Sequence, residues 1–168
     1  MSRLESFIRR LEAQRAVLER AIVVARDVPG MALELGLGNG RTYDHLRARL
    51  AGSRPIFALD RQLAAHPGCV PDAEHLLLGE FRDTLARLAR RIGRSVALVH
   101  ADTGSGDEPA SRAQALQLPA LLDPLLVDGA VVASDQDMRP RWTALALPEG
   151  IEPGRYFIWR RSSNHSPA

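Results

Sequence analysis

The fold turns on "ALELGLGNGRT", Ala32 to Thr42, where Gly36, Gly38 and Gly40 alternate and Glu34 stands two residues ahead of the first glycine. Glycine at every second position serves neither a strand nor a helix, because each one costs backbone entropy in both. Met31 to Leu35 reads as a short apolar strand, and Thr42 to Leu50 returns to helical spacing. A strand, a glycine loop and a helix in that order let backbone amides reach a ligand directly. The dinucleotide fingerprint is G-x-G-x-x-G, whereas this loop is G-x-G-x-G with a carboxylate just before the turn. That charge repels a pyrophosphate and attracts a cationic amino group or a sulfonium.

Outward from the loop, strand and helix patterns alternate. Residues 3 to 26, within an N-terminal segment 1–28, read as an amphipathic helix with Ser2 and Glu5 as a capping box, stopped by Pro29-Gly30. "PIFALD" (55–60), "EHLLLGE" (74–80), "SVALVHAD" (95–102) and "GAVVASD" (129–135) read as further strands. Helical spacing covers 81–92 and about 110–126, where Pro119 and Pro124 are expected to kink the chain. "WTALALP" and "GRYFIWRR" suggest an antiparallel hairpin, and residues 162–168 a disordered tail. The expected fold is α/β: a mostly parallel sheet of about seven strands with an antiparallel C-terminal hairpin and helices on both faces. Ligands of such sheets bind at the carboxyl ends of the strands.

Composition narrows the chemistry. A chain of 168 residues suits a single domain, expected over 1–168. All 22 basic residues are arginine, so neither a lysine Schiff base nor a Walker-type phosphate lysine is available. A net charge of +2 gives no nucleic-acid signature. One cysteine, Cys69, excludes an intramolecular disulfide and a multi-cysteine zinc site. Charged residues interrupt the opening and no uncharged run has membrane-spanning length, so neither a signal peptide nor a membrane segment is expected, and the expected location is cytoplasmic.

S-adenosylmethionine carries both cations that Glu34 favours. "LELGLGNGRT" resembles motif I of the class I S-adenosylmethionine-dependent methyltransferases, an acidic residue followed by x and G-x-G-x-G. The later strands fall into the family's order, so the resemblance spans nearly the whole chain. It implies a Rossmann-like methyltransferase fold with S-adenosyl-L-methionine as cofactor and S-adenosyl-L-homocysteine as product. It also implies that Glu34 holds the methionine amino group, directly or through water, and that Gly36, Leu37, Gly38, Asn39 and Gly40 let the cofactor lie against the backbone. Asn39, Arg41 and Thr42 open the next helix toward the carboxylate. Asp60, with Arg61 beside it, takes the ribose-binding place, Glu80 and the amide of Phe81 the adenine place, and Asp102 the methyl-transfer end. Tyr43 is a pocket-lining candidate, with simple packing as the alternative. "GNGRTYDH" and "HADTGSG" are similar to a compact bacterial group described only as methyltransferases.

His100 and Asp102, two apart on one strand, face the same side and are the catalytic candidates; the alternative for His100 is burial against a neighbouring loop. No metal is expected. The alternative, by likeness to catechol-type O-methyltransferases, is a Mg²⁺ or Ca²⁺ held by Asp102, Asp135 and Gln136. The expected activity is in-line methyl transfer to a small molecule. A non-catalytic S-adenosylmethionine-binding or scaffold protein and an NAD-binding oxidoreductase are the rival readings. The helix after the fifth strand is expected to be missing or reduced, with most of the helix after strand two. With no inserted cap, the N-terminal helix or another subunit is left to cover the acceptor, and a homo-oligomer is expected.

Overall fold

The computed structural model describes residues 2–162. Helix α1 (Arg3–Val24) is followed by β1 (Met31–Leu35), α2 (Arg41–Leu50), β2 (Ile56–Asp60), β3 (Leu76–Leu78) and α3 (Phe81–Ile92). Then come β4 (Val96–Ala101), α4 (Glu108–Leu122), β5 (Leu126–Ser134), β6 (Thr143–Ala144) and β7 (Phe157–Arg160). The strands form one sheet in the order β3-β2-β1-β4-β5-β7-β6. β1 to β5 run parallel, and β7 pairs antiparallel with both β5 and β6. The expected α/β sheet and its antiparallel end are therefore present.

Alternation along the strands divides the core. Leu33, Leu35, Phe57, Leu59 and Val99 pack against Leu85 and Leu88 of α3 and Leu118 and Leu122 of α4. Ala32, Ala58, Leu98, Val131 and Ala133 pack against Val17, Leu18 and Ala21 of α1 and Leu46 of α2. Small residues dominate the second set of strand positions, which lets α1 lie close to the sheet. Helix α1 begins with the capping box of Ser2 and Glu5.

Several boundaries differ from expectation for physical reasons. β5 starts at Leu126, not Gly129, because Leu126 pairs with Val96 before a bulge shifts the register to Leu98 opposite Val131. Gly129 sits in this bulge at φ +80°, and Arg161 bonds the carboxylates of Asp128 and Asp123. α4 ends at Leu122, before Pro124, and continues through Pro119. β6 keeps only two residues of "WTALALP"; Leu145 still donates to the Ile158 carbonyl, after which Leu147 turns toward the α1 side. Between β5 and β6 there is no helix, and a 3-10 turn (Pro67–Cys69) is the only helical piece between β2 and β3. The expected tail lies, apart from Ser162, outside the described residues.

Candidate active site

Strand order reverses between β1 and β4, which connect to opposite sides of the sheet. The crevice at the carboxyl ends beside such a reversal is where open α/β sheets bind ligands. The glycine loop leaves β1 here, and Asp102 leaves β4 beside it.

The three glycines do three different jobs. Gly36, at φ +85°, lies so close to β4 that an added Cβ would stand 2.1 Å from the Asp102 carbonyl oxygen. Gly38, at φ +50°, has nothing within 4 Å of its missing Cβ and is exposed, so its backbone is the bare surface of the loop. Gly40, at φ +87°, precedes α2 and presses on the only thiol, with its added Cβ 2.5 Å from the Cys69 Cβ. Leu37 and Tyr43 turn into the α1-side core, where Tyr43 packs as a buried side chain beneath the Arg47 guanidinium. Asn39 is exposed and its Oδ1 accepts from the Arg41 amide at 3.3 Å.

Beneath the loop is a buried polar unit. Glu34 and His100 are register partners in β1 and β4, and both project to the α1/α2 side. Glu34 is wholly enclosed: Thr42 Oγ1 donates to one carboxylate oxygen, and His100 Nδ1 lies 2.9 Å from the other. The carboxylate expected at the methionine amino group thus braces the loop onto α2 and β4. Burial disfavours a charged His100 ring, but the charge and hydrogen bond of Glu34, with Asp102 and Asp135 farther off, outweigh it and raise its pKa above 6.5. With a folded pKa above the unfolded one, His100 stabilises the protein fully below pH 6.5 and progressively less as pH rises through the raised value. The melting temperature is expected to fall on the alkaline side of that point, and this part of the slope to vanish in His100→Gln; thermal melts across pH check it.

At the ends of the other strands, carboxylates gather. Asp60 Oδ2 accepts from the Gly38 amide at 2.8 Å, and its Oδ1 from the Arg61 amide at 2.6 Å. Arg61 also pairs with Glu80 at 3.2 Å, linking the ends of β2 and β3, while Phe81 opens α3 with its ring in the core. Asp102 Oδ2 accepts from Gln14 Nε2 of α1 at 2.6 Å. Asp135 accepts from the Thr103 and Gly104 amides at 3.1 and 3.2 Å and from Gln136 Nε2 at 3.1 Å. Burial first, and then the Asp102 charge, raise the Asp135 pKa above the usual carboxylate range. Tyr156, whose hydroxyl donates to the Arg10 carbonyl, is pushed up to about 12 by burial and by the charges of Asp102 and Asp135. Gln14 and Tyr156 carry no local motif. The one signal for Gln14 is a polar residue on the helix face that continues Val17, Leu18 and Ala21. No group of three or more His, Cys, Asp or Glu positioned to hold a metal ion occurs among the described residues.

The sequence model of the S-adenosyl-L-methionine methyltransferase family matches residues 1–161. The chain belongs to this family. It is 40% identical to an S-adenosyl-L-methionine methyl transferase of known structure from Silicibacter pomeroyi DSS-3, with 96% of this chain and 99% of that one covered at a TM-score of 0.89. TrmN from Thermus thermophilus shares the fold at a TM-score of 0.62 with 16% identity, over 86% of this chain and 48% of that one. DesVI from Streptomyces venezuelae shares it at 0.53 with 19% identity, over 84% and 54%. None of the curated proteins matches the chain. The enzyme is thus an S-adenosyl-L-methionine-dependent methyltransferase, and the family membership argues against the nicotinamide reading. The residues fit the cofactor: a bare glycine at left-handed φ faces the crevice, and carboxylates end β2 and β4 on either side. Among the described residues, no helix is long and apolar enough to cross a membrane.

Proposed function

We propose that this methyltransferase acts on a small molecule, and that its cofactor lies across the glycine loop between Asp60 and Asp102. The observation that carries the reading is the bare Gly38 backbone beside the strand-order reversal, with Asp60 already bonded to its amide. Asp60 is the carboxylate for the ribose hydroxyls, and Glu80 with the Phe81 amide faces the adenine. The open amide of Thr42, next to the Arg41 amide that Asn39 Oδ1 holds, suits the cofactor carboxylate at the positive end of α2. When bound, S-adenosyl-L-methionine supplies a methyl group on a positively charged sulfur. The chain's part is alignment, worth roughly 7–11 kcal/mol in favourable intramolecular cases. Asp102 lines the transfer end. Asp135, with its raised pKa, is placed to take a proton from an acceptor that must lose one. His100 acts through Glu34 as a positioning residue, because its ring is buried and engaged. A small acceptor suits clefts of about 260 and 550 Å³ flanking α1.

The remaining parts of the reading are a bacterial, cytoplasmic enzyme that self-associates. Exposed Leu4 and Ile8 on α1 support the last, and light scattering would test it.

Calorimetric titration tests the cofactor site. Asp60→Ala is expected to weaken S-adenosyl-L-homocysteine binding at least about tenfold with the fold intact, the loss typical of a hydrogen bond to a charged group. Gly38→Ala has space for its methyl group, so its stability should drop by only about 1–2 kcal/mol for the left-handed φ, while affinity falls as strongly. Unchanged affinity in both variants would remove this assignment.

A further inference from the structure

Helix α1 runs back along the sheet and reaches past the strand ends. Gln14 stands level with the end of β4, because it bonds Asp102. The helix continues N-terminally from there for about 16 Å at 1.5 Å per residue, and its residues 3–12 are exposed or half-buried. The overhang is propped by the segment before β7: Tyr156 donates to the Arg10 carbonyl, and Arg155 joins Arg3, Ser6, Phe7 and Arg10 around a cleft of about 260 Å³.

The charge in this cleft is one-sided. It is lined by three arginines and no carboxylate. All three are exposed, and none forms an ion pair among the described residues. Arg10 lies over the Phe7 ring at 5.5 Å, so an apolar face and cationic groups are presented together. A wider neighbouring cleft against the same helix balances Arg9, Arg15 and Arg155 with Glu12 and Glu152, which makes the inner cleft the stronger anion site. Two hydrogen bonds tie this part of α1 to the structure around it: the Tyr156 hydroxyl donates to the Arg10 carbonyl, and one turn on, Gln14 donates to Asp102 at the transfer end.

We propose that the overhanging start of α1, with Arg155, is the acceptor-binding site, and that the acceptor is a small molecule bearing a carboxylate or phosphate held by Arg3, Arg10 and Arg155 with its apolar body on Phe7. This rests on the methyl-transfer reading of the adjoining crevice. Guanidinium groups pair with either anion in bidentate fashion, so both belong to one ligand chemistry.

The test titrates benzoate, phenyl phosphate and neutral benzamide into the full chain saturated with S-adenosyl-L-homocysteine. Either anion is expected to bind at least about tenfold more tightly than benzamide, as a charge-assisted hydrogen bond predicts, and the stronger of the two identifies the group. Arg10→Gln/Arg155→Gln should remove that preference, and Phe7→Ala should weaken both anions, with cofactor affinity and melting temperature unchanged. Equal binding of all three probes, or a preference that survives the double substitution, overturns the proposal. So does tighter binding of a short single-stranded RNA that is lost in the same variants, since the patch would then serve a nucleic acid. Failure of the cofactor itself to bind would instead count against the methyl-transfer reading.

Discussion

Gly36→Ala is expected to destabilise the protein by roughly 3 kcal/mol or more, combining a left-handed φ with an overpacked contact. The added methyl carbon would stand 2.1 Å from the Asp102 carbonyl oxygen, a backbone atom that cannot swing away. That oxygen belongs to the chain leaving β4, and the Gly36 amide itself donates to Leu59 of β2, so the loop is pinned between two strands. Relief must come from separating β1 from β4. For a chain of this length the loss corresponds to a fall in melting temperature of about 6–12 °C. Cofactor binding should be lost as well, because the displaced strand carries Asp102. Contrast with Gly38→Ala makes the point sharp: similar chemistry two residues away should cost only the left-handed φ in stability, with no clash, and lose affinity. A Gly36→Ala protein that melts with the parent would refute the tight approach.

The second large effect is at Glu34. Substitution by alanine leaves His100 and Thr42 facing a void with no partner, and breaking a buried ion pair from one side typically costs about 3–5 kcal/mol. Glu34→Gln keeps an acceptor oxygen and should cost less, but it removes the charge that raises His100 and with it the alkaline slope in stability. Chemical denaturation of both variants, followed by cofactor titration, separates two roles. If Glu34 braces the loop from below, stability falls first and affinity follows. An alanine variant as stable as the parent but unable to bind cofactor would mean that Glu34 meets the ligand itself.

Much of this was legible in the residues, and the boundary between legible and illegible is physical. Met31–Leu35 and Phe81–Ile92 were read to the residue, because a short apolar run stopped by glycine and a clean helical stripe are local signals. The start of β5 was not, since Asp128-Gly129 looks like a turn until the pairing of Leu126 with Val96 carries the strand through it. Family likeness brought Asp60, Glu80 and Asp102 to neighbouring strand ends, and they lie there. It implied that Glu34 holds the methionine amino group, directly or through water, but not that α2 and β4 would enclose the side chain and bond it to Thr42 and His100. Gln14 and Tyr156 were invisible, being joined to the site through partners 88 and 146 residues away. The overhang of α1 was equally hidden: it is a mismatch between the lengths of a helix and the strands beneath it, which neither segment displays alone.

The contact between Gly40 and Cys69 makes the chain its own reporter. Its one sulfhydryl rests against the last glycine of the loop and is partly exposed, so alkylating reagents will find a single address there without any engineering. The rate at which that address is modified, measured with and without nucleoside ligands, reports whether a bound ligand changes the packing of the loop against Cys69.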